Sequence, residues 1–255
     1  MRHSLPTLIR DLHRRRGRER RGLVLAEGVR LVAEALAAGR PVHGAVVSPA
    51  LEATARGRAL KASLAARGAS LLEVTDEELA KLADTEHPQG VVAVVEPVAW
   101  TWEDIALGGD SAVLVLDGVQ DPGNVGTIAR TAFGLGAAGL VALKGTAELT
   151  NPKVLRGSMG ALFRLPAIAA GDQALLTWLE ANHVRLWVSA VGGETPRRTA
   201  PGPVAIVLGN EGAGVRDSLA AVAERRVGIP LAAGAESLNV AVAAGILLYE
   251  VMRER

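Results

Sequence analysis

Three short segments of the sequence combine glycine with polar residues, and each follows a run of apolar residues. They are LDGVQDPGNVGTIARTAFGLG (116–136), VLGNEGAGV (207–215) and IPLAAGAESLNVAVAAGILLYE (229–250). Glycine lets a ligand approach the backbone closely, and polar side chains beside it can bind or orient that ligand. The side chains available for such chemistry are Asn124, Arg130, Glu211, Ser237 and Asn239. An arginine among them could stabilise negative charge on a phosphate or on a developing oxyanion.

Three of these residues also have an ordinary structural explanation. Arg130 lies six residues after Asn124, and it could simply face solvent from an amphipathic helix whose same face carries Thr127. Glu211 could occupy the first turn of a helix, where the helix dipole favours an acid. Ser237 could cap the long helix that follows it. No single motif therefore decides between a ligand site and ordinary turns.

The second half of the chain alternates strands and helices, which predicts a mostly parallel sheet. The predicted strands are Ala112–Leu116, Leu140–Leu143, Arg185–Val188, Val204–Leu208 and Arg226–Ile229. The predicted helices are Val125–Phe133, 173–181 and Ser237–Met252. Ligands on such sheets bind beyond the carboxyl ends of the strands. We therefore expect a site formed by the loops 117–126, 209–215 and 230–237.

The first half predicts a separate, smaller α/β domain. Its expected helices are 4–16, Glu27–Leu36 and Leu51–Ala66, and its expected strands are Leu23–Leu25, Val42–Val47, Leu71–Val74 and Val91–Val95. Thr75 with Glu78 has the spacing of a capping box. Gly108-Gly109-Asp110 is a turn signal. We therefore predict domains at 1–97 and 111–255, joined by a linker at 98–110.

Composition excludes several classes of site. The chain has 255 residues, a net charge of +1 and no cysteine, so disulfides, thiolate nucleophiles and thiolate metal sites are absent. Its five histidines lack metal-ligand spacing, and we expect no metal. GLGAAG (134–139) matches a dinucleotide fingerprint, but the expected helix precedes it and the strand follows, so its glycines should end a helix. No apolar run is long enough to span a membrane, and a cytoplasmic location is expected.

Positive charge is concentrated at the start of the chain. Residues 1–30 contain nine arginines and three acidic residues, a net charge of +6. Such a cluster suits contact with the phosphates of a nucleic acid. A solvated helix is the alternative explanation.

Taken together with HPQGVVAVVE (87–96), the three segments resemble the SpoU (TrmH-like) branch of the knotted SPOUT RNA methyltransferases. The pair Asn124 and Arg130 resembles the first motif of that family, and Gly209-Asn210-Glu211-Gly212 resembles the second. Ile229-Pro230 with Glu236-Ser237-Leu238-Asn239-Val240 resembles the third. The segment 151–166, NPKVLRGSMGALFRLP, looks like that of ribosomal RNA ribose methyltransferases, including antibiotic-resistance types. The resemblance covers 112–255, with a weaker one to a ribosomal-protein-like substrate-binding domain before it.

The resemblance implies a fold, a cofactor and a reaction. The C-terminal domain would form a trefoil knot, act as a homodimer and bind S-adenosylmethionine. The cofactor would contact Leu208, Gly209, Ile229, Leu231 and Leu238. Arg130 would stabilise the alkoxide of a ribose 2′-hydroxyl, because guanidinium is a poor base. Asn124, Glu211, Ser237 and Asn239 would position the ribose and Arg130.

The expected substrate is ribosomal RNA, namely the 23S species, and two alternatives remain open. One is a transfer RNA ribose or base methyltransferase of the same fold. The other is a non-catalytic RNA-binding or ribosome-binding protein that retains the fold.

Overall fold

The computed structural model describes residues 4–197 and 201–253. The chain divides into two compact units. The first contains the residues up to 99 together with 150–163, and the second contains 100–149 and the residues from 164 onward. Residues 150–163 therefore pack with the first unit, although in sequence they lie inside the predicted 111–255 domain.

The chain forms the following strands and helices, numbered in chain order. The strands are β1 Val24–Glu27, β2 Val42–Val47, β3 Leu71–Glu73, β4 Val91–Val95, β5 Ala112–Asp117, β6 Gly139–Leu143, β7 Ala167–Ala170, β8 Arg185–Glu194, β9 Val204–Gly209 and β10 Arg225–Val227. The α-helices are α1 Leu5–Leu12, α2 Arg15–Arg21, α3 Val29–Ala37, α4 Pro49–Glu52, α5 Ala55–Ala66, α6 Asp76–Ala80, α7 Pro122–Gly134, α8 Pro152–Gly157, α9 Asp172–Ala181, α10 Asp217–Ala220 and α11 Val240–Met252. Short 3₁₀ turns lie at Trp102–Asp104 and Ala161–Phe163.

The first unit contains a four-stranded sheet in the order β1-β4-β2-β3. Strand β4 is buried along its whole length and pairs antiparallel with both β1 and β2, while β2 and β3 are parallel. The capping box of Thr75 and Glu78 is present at the start of α6, as predicted.

Two helices predicted for the first unit are interrupted. The expected helix 4–16 is α1 followed by α2, and the expected helix Leu51–Ala66 is α4 followed by α5. Thr54 ends the first turn by capping α5, where its hydroxyl accepts a hydrogen bond from the backbone of Gly57 at 3.0 Å. A Cβ at Gly57 would collide with the carbonyl of Leu51. The chain therefore folds back too tightly for one continuous helix.

The segment 150–163 is joined to the first unit by an ion-pair cluster. Glu27 at the end of β1 is only 6% exposed and accepts hydrogen bonds from the backbone N–H groups of Asp84 and Thr85. Arg156 of α8 lies 3.8 Å from the carboxylate of Glu27 and 3.1 Å from that of Asp84. A cation from α8 therefore offsets the charge that is buried at the end of β1.

Helix α1 contributes directly to the core of the first unit, so removing the N-terminal arginines by deletion would also remove core residues. Ile9 and Leu12 are fully buried and pack with apolar residues of β1, β2 and β4. We expect Ile9→Ala or Leu12→Ala to lower the free energy of unfolding by roughly 2–5 kcal/mol, because each leaves a cavity. Chemical denaturation measures this loss. The exposed Arg10→Ala on the same helix is the control and should change stability by less than about 0.5 kcal/mol; equal losses would contradict the packing role of α1.

The second unit contains a six-stranded sheet in the order β10-β8-β9-β5-β6-β7. Every neighbouring pair is parallel, which confirms the predicted parallel α/β architecture. The two central strands, β5 and β9, are almost completely buried. Helix α11 packs against α7 and against these two strands. None of the helices that the structure describes is both long and apolar enough to cross a membrane.

Helix boundaries in the second unit differ from prediction near the motifs. Helix α11 begins at Val240, and its N-cap is Asn239 rather than Ser237. Helix α7 begins at Pro122 rather than Val125, because proline suits the first helical turn and Asp121 caps it. The GLGAAG glycines end α7 and turn the chain into β6, as predicted.

Candidate active site

A cavity of about 650 Å³ lies at the carboxyl ends of β9 and β10 and beside the middle of β8 in the second unit. Its wall is formed by residues 189–191, 208–214, 227–229, 231, 236–240, 243 and 247. The five residues expected to hold a cofactor, Leu208, Gly209, Ile229, Leu231 and Leu238, all line this cavity. So do Glu211, Ser237 and Asn239. The second and third sequence segments therefore meet at one site, at the sheet edge that the parallel topology predicted.

The cavity wall depends on a close backbone contact at Gly209. A Cβ at this position would collide with the backbone of Gly214 and Val215. The loop after β9 is also closed by paired backbone hydrogen bonds between Asn210 and Gly214, of 3.0 and 2.9 Å. Glycine at 209 therefore allows the loop to fold against the strand that it leaves.

A chain of side-chain hydrogen bonds joins one residue from each of the three segments. Nδ2 of Asn124 donates to Oε1 of Glu211 at 2.9 Å, and Nδ2 of Asn239 donates to Oδ1 of Asn124 at 3.0 Å. Oδ1 of Asn239 accepts from the backbone N–H groups of Ala241 and Val242, at 2.9 and 3.3 Å. The start of α11 thus orients both amides and leaves the Glu211 carboxylate as the terminal acceptor. Such a chain can hold a polar substrate in one orientation.

Arg130 is not part of this chain. It is exposed on α7 and does not line the cavity. Among the residues that the structure describes, none forms a hydrogen bond or ion pair with its guanidinium. Thr127, expected on the same helix face, is exposed as well. The structure therefore brings together Asn124, Glu211 and Asn239, places Ser237 in the cavity wall, and leaves Arg130 outside that cavity.

Sequence reasoning missed two parts of the site. Ser189, Ala190 and Val191 line the cavity, because β8 continues to Glu194 instead of ending at Val188. The sequence did not predict this extension, because the residues after Val188 are largely small, polar or glycine. The second part is Asn210, for which the sequence predicted no function. Its Nδ2 donates to the carbonyl of Gly118 at 2.8 Å.

Comparison with known proteins agrees with this geometry. The family model described as the SpoU rRNA methylase family matches residues 111–249. The chain belongs to the SpoU rRNA methylase family. A second model, the MRM3-like substrate binding domain, matches residues 8–93. The SpoU assignment confirms the resemblance seen in the three motifs, and the second match lies within the first unit.

Individual members of the SpoU family match over nearly the whole chain. The 23S rRNA (guanosine(2553)-2′-O)-methyltransferase RlmP of Bacillus subtilis is 32% identical, over 95% of this chain and 93% of its own. The 23S rRNA (uridine(2479)-2′-O)-methyltransferase of Streptomyces viridochromogenes is 32% identical, over 96% and 87%. The structure of the SpoU methyltransferase AviRb from the same organism, in complex with AdoMet, has a TM-score of 0.88 and 30% identity, over 100% and 98%.

Proposed function

We propose that this chain transfers the methyl group of S-adenosylmethionine to a ribose 2′-hydroxyl of 23S ribosomal RNA. The observation that carries the proposal is the hydrogen-bonded chain Glu211–Asn124–Asn239 at the edge of the cavity. It unites the three SpoU motifs at one site. Relatives that match nearly the full chain are named 23S rRNA 2′-O-methyltransferases, and AviRb was solved with AdoMet.

The cavity suits S-adenosylmethionine in size and in lining. Leu208, Ile229, Leu231 and Leu238 supply apolar side chains for a flat adenine ring, and Gly209 brings the backbone to the cavity wall, where backbone groups can orient the cofactor. When bound, the cofactor supplies a methyl group on a positively charged sulfur. The protein must then hold a ribose hydroxyl in line with that methyl group and stabilise the hydroxyl as its proton leaves.

We assign the second task to Arg130. Guanidinium stays protonated in proteins and cannot serve as a base, but it can bind a neighbouring phosphate and stabilise the developing alkoxide. The phosphate or a water molecule accepts the proton. Asn124, Glu211, Ser237 and Asn239 position the ribose, in keeping with the hydrogen-bonded chain that joins three of them.

We further propose that the protein acts as a homodimer formed through α11. Val242, Ile246 and Tyr249 form an exposed apolar stripe at helical spacing, with exposed fractions of 51%, 37% and 54%. Phe133 of α7 is 45% exposed. Small side chains of α11 were expected to allow close contact with a second copy, but Ala241 and Ala244 are buried inside the unit and do not belong to this surface. A second copy of the chain is the partner that a self-complementary apolar helix face fits.

The proposed dimer would bring Arg130 close to the cavity of the partner subunit. Arg130 lies three residues before Phe133 on α7, and residues at that spacing share a helix face. The arginine is thus beside the apolar surface and outside its own cavity. We propose that Arg130 serves the cavity of the partner subunit.

The trefoil knot also belongs to this proposal. Strand β10 lies at the edge of the sheet beside β8, whereas α11 packs against the central strands β5 and β9. The segment 228–239 connects the two and lines the cavity on its way. This return of the chain from the edge of the sheet to its centre supports a knotted path, in which the chain passes the loop that follows β9.

We assign the first unit to RNA binding, with the exposed arginines of its first two helices as phosphate contacts. Arg21 and Arg20 donate hydrogen bonds to the Asp11 carboxyl and lower its pKa, so both arginines are already paired. Arg18 is buried. Arg10, Arg14 and Arg16 are exposed, and none of them forms an ion pair within the described part of the chain.

The combined substitution of Arg10, Arg14 and Arg16 by alanine should weaken RNA binding and leave cofactor affinity unchanged. Each lost phosphate contact removes counterion release, so the slope of log K against log salt should fall by about 2–3. Filter binding at several salt concentrations measures the slope. Arg56→Ala removes one exposed charge from α5 and should change the slope by no more than about 1. An unchanged slope in the triple variant would show that this basic surface is only solvated.

Transfer of labelled methyl groups tests the proposed function. Purified protein is incubated with labelled S-adenosylmethionine and with 23S RNA, transfer RNA or DNA, and 2′-O-methyl positions are mapped by primer extension. Label on 23S ribose supports the proposal, whereas label on transfer RNA alone favours the alternative substrate. Calorimetric binding of the cofactor with no transfer to any RNA would favour a non-catalytic role.

A further inference from the structure

The side chain of Arg216 joins the carboxyl ends of neighbouring strands at the sheet edge where the cavity lies. It follows the loop after β9, and its Nε donates to Oδ1 of Asp117 at the end of β5 at 2.6 Å. One terminal nitrogen lies 2.8 Å from both carboxylate oxygens of Asp172, at the start of α9 after β7. The other donates to the carbonyl of Lys144, just after β6, at 2.9 Å. Arg216 thus links the ends of β9, β5, β6 and β7, which are consecutive in the sheet.

Asp117 depends on Arg216 for its partners. Its side chain is 4% exposed, and its second oxygen accepts the backbone N–H of Arg216 at 2.7 Å. The hydrogen bond to Asp117, supported by Asp172, raises the pKa of Arg216 despite partial burial. The guanidinium is therefore charged at every pH at which the protein would be assayed.

The other end of the loop is held by Asn210. Its Nδ2 donates to the carbonyl of Gly118 at 2.8 Å, and its Oδ1 accepts from the backbone N–H groups of Gly212 and Ala213 at 2.9 and 3.0 Å. Both ends of the loop are thus attached to consecutive residues, 117 and 118, at the end of β5. The loop is a closed turn with Glu211 at its tip.

We propose that Arg216 is a positioning residue for methyl transfer. By attaching the loop 210–215 to Asp117, it holds the Glu211 carboxylate within 2.9 Å of Asn124 and keeps the 208–214 wall of the cavity in place. Arg216 does not line the cavity, so it acts through Glu211 and the loop. The inference rests on the proposed function, because the reaction whose rate it affects is RNA methyl transfer.

A single substitution of Arg216 would not distinguish a role in positioning the loop from the stability that Arg216 provides by neutralising Asp117. Arg216→Met leaves the Asp117 carboxylate buried without its partner, which lowers stability whatever the function of the loop. The double variant Asp117→Asn with Arg216→Met removes both charges together. Its thermal midpoint should recover toward that of the wild type, because the unpaired buried charge is gone.

The rate of methyl transfer should not recover. We expect single-turnover transfer to fall ~10-fold or more in both variants, since small displacements of positioning groups are costly. Affinity for S-adenosylmethionine, measured by calorimetry, should fall less than the rate. The reason is that none of the described wall residues 189–191, 227–229, 231 and 236–240 forms a hydrogen bond or ion pair with Arg216. Arg216→Lys replaces the planar guanidinium, which bonds several partners at once, with a single ammonium. Its rate of methyl transfer should lie between those of the wild type and Arg216→Met.

Arg185→Met is the matched control. Arg185 is a partly buried arginine, 19% exposed, at the first residue of β8, and it does not line the cavity. Its loss should leave the rate of the folded protein unchanged. A folded double variant with the wild-type rate would overturn the role of Arg216. If the double variant does not fold, a wild-type rate in Arg216→Lys would do the same. Absence of transfer by the wild-type protein would instead reject the proposed function itself, and the role of Arg216 with it.

Discussion

Replacing Arg130 with alanine is expected to lower the rate of methyl transfer by ~10²-fold or more, because it removes charge stabilisation that is needed only in the transition state. Affinity for S-adenosylmethionine should be nearly unchanged, because the proposed role of Arg130 is to bind the phosphate and the developing alkoxide of the RNA rather than the cofactor. Single-turnover transfer to 23S RNA and calorimetry with the cofactor measure the two quantities. Thr127→Ala, on the same exposed helix face, is the control for local disturbance. A wild-type rate in Arg130→Ala would remove Arg130 from the mechanism.

Arg130→Lys distinguishes a phosphate clamp from a general base. Lysine keeps the charge but loses the planar fork that matches a phosphate. If residue 130 acted as a base, lysine would restore activity as the pH rises from about 7 to about 10, toward its own pKa. A clamp predicts a low rate across that range. Strong recovery at alkaline pH would therefore contradict the clamp.

The largest effect on assembly is expected from the double variant Val242→Asp with Ile246→Asp. Both side chains belong to the exposed apolar stripe of α11, and burying two unpaired carboxylates against a second copy would be very unfavourable. We expect the variant to sediment as a monomer at micromolar concentration and to lose methyl transfer. Val222→Asp is the control, because Val222 is 56% exposed and lies outside the stripe. A dimeric double variant would contradict the proposed interface, and a fully active monomer would contradict the action of Arg130 across it.

Mixing two inactive variants tests whether Arg130 serves the partner subunit. Arg130→Ala retains Glu211, and Glu211→Ala retains Arg130. If the two groups come from different subunits, a random mixture contains heterodimers with one complete site each, about a quarter of all sites. Recovery of that fraction of activity supports action across the dimer. No recovery, with exchange of subunits shown separately, would place both groups in one subunit.

Much of the site could be predicted because its residues lie at the ends of strongly apolar strands. The continuous apolar segments that form β5 and β9 clearly predict buried strands. The loops that follow these strands could therefore be located from the predicted parallel topology alone. The register of helix α11 could not be predicted in the same way. Ser237 and Asn239 are both good caps by residue type, and the choice of Asn239 depends on its partner Asn124, which is distant in sequence.

Other features depend on contacts that no local pattern encodes. Helix α8 is short, and its attachment to the first unit depends on a buried carboxylate more than a hundred residues earlier in the chain. The sequence likewise does not predict the role of Arg216, because its partners Asp117, Lys144 and Asp172 are brought together only by the order of the strands in the sheet. The solvent exposure of Arg130 was one of two interpretations that its helix allowed, and the structure confirms the exposure without excluding the function.

The attachment of residues 150–163 to the first unit restricts how such a protein can be recombined during evolution. An exchange that replaced everything up to residue 99 would bring in a new end of β1 but retain the native Arg156. The incoming strand would then need an acid where Glu27 accepts its hydrogen bonds and offsets the arginine. Without that acid, a cation would remain at the surface of a foreign sheet, with no counter-charge at the former position of Glu27. The two segments of the first unit, the residues up to 99 and 150–163, therefore have to change together, and a functional chimera requires matched exchanges of both segments.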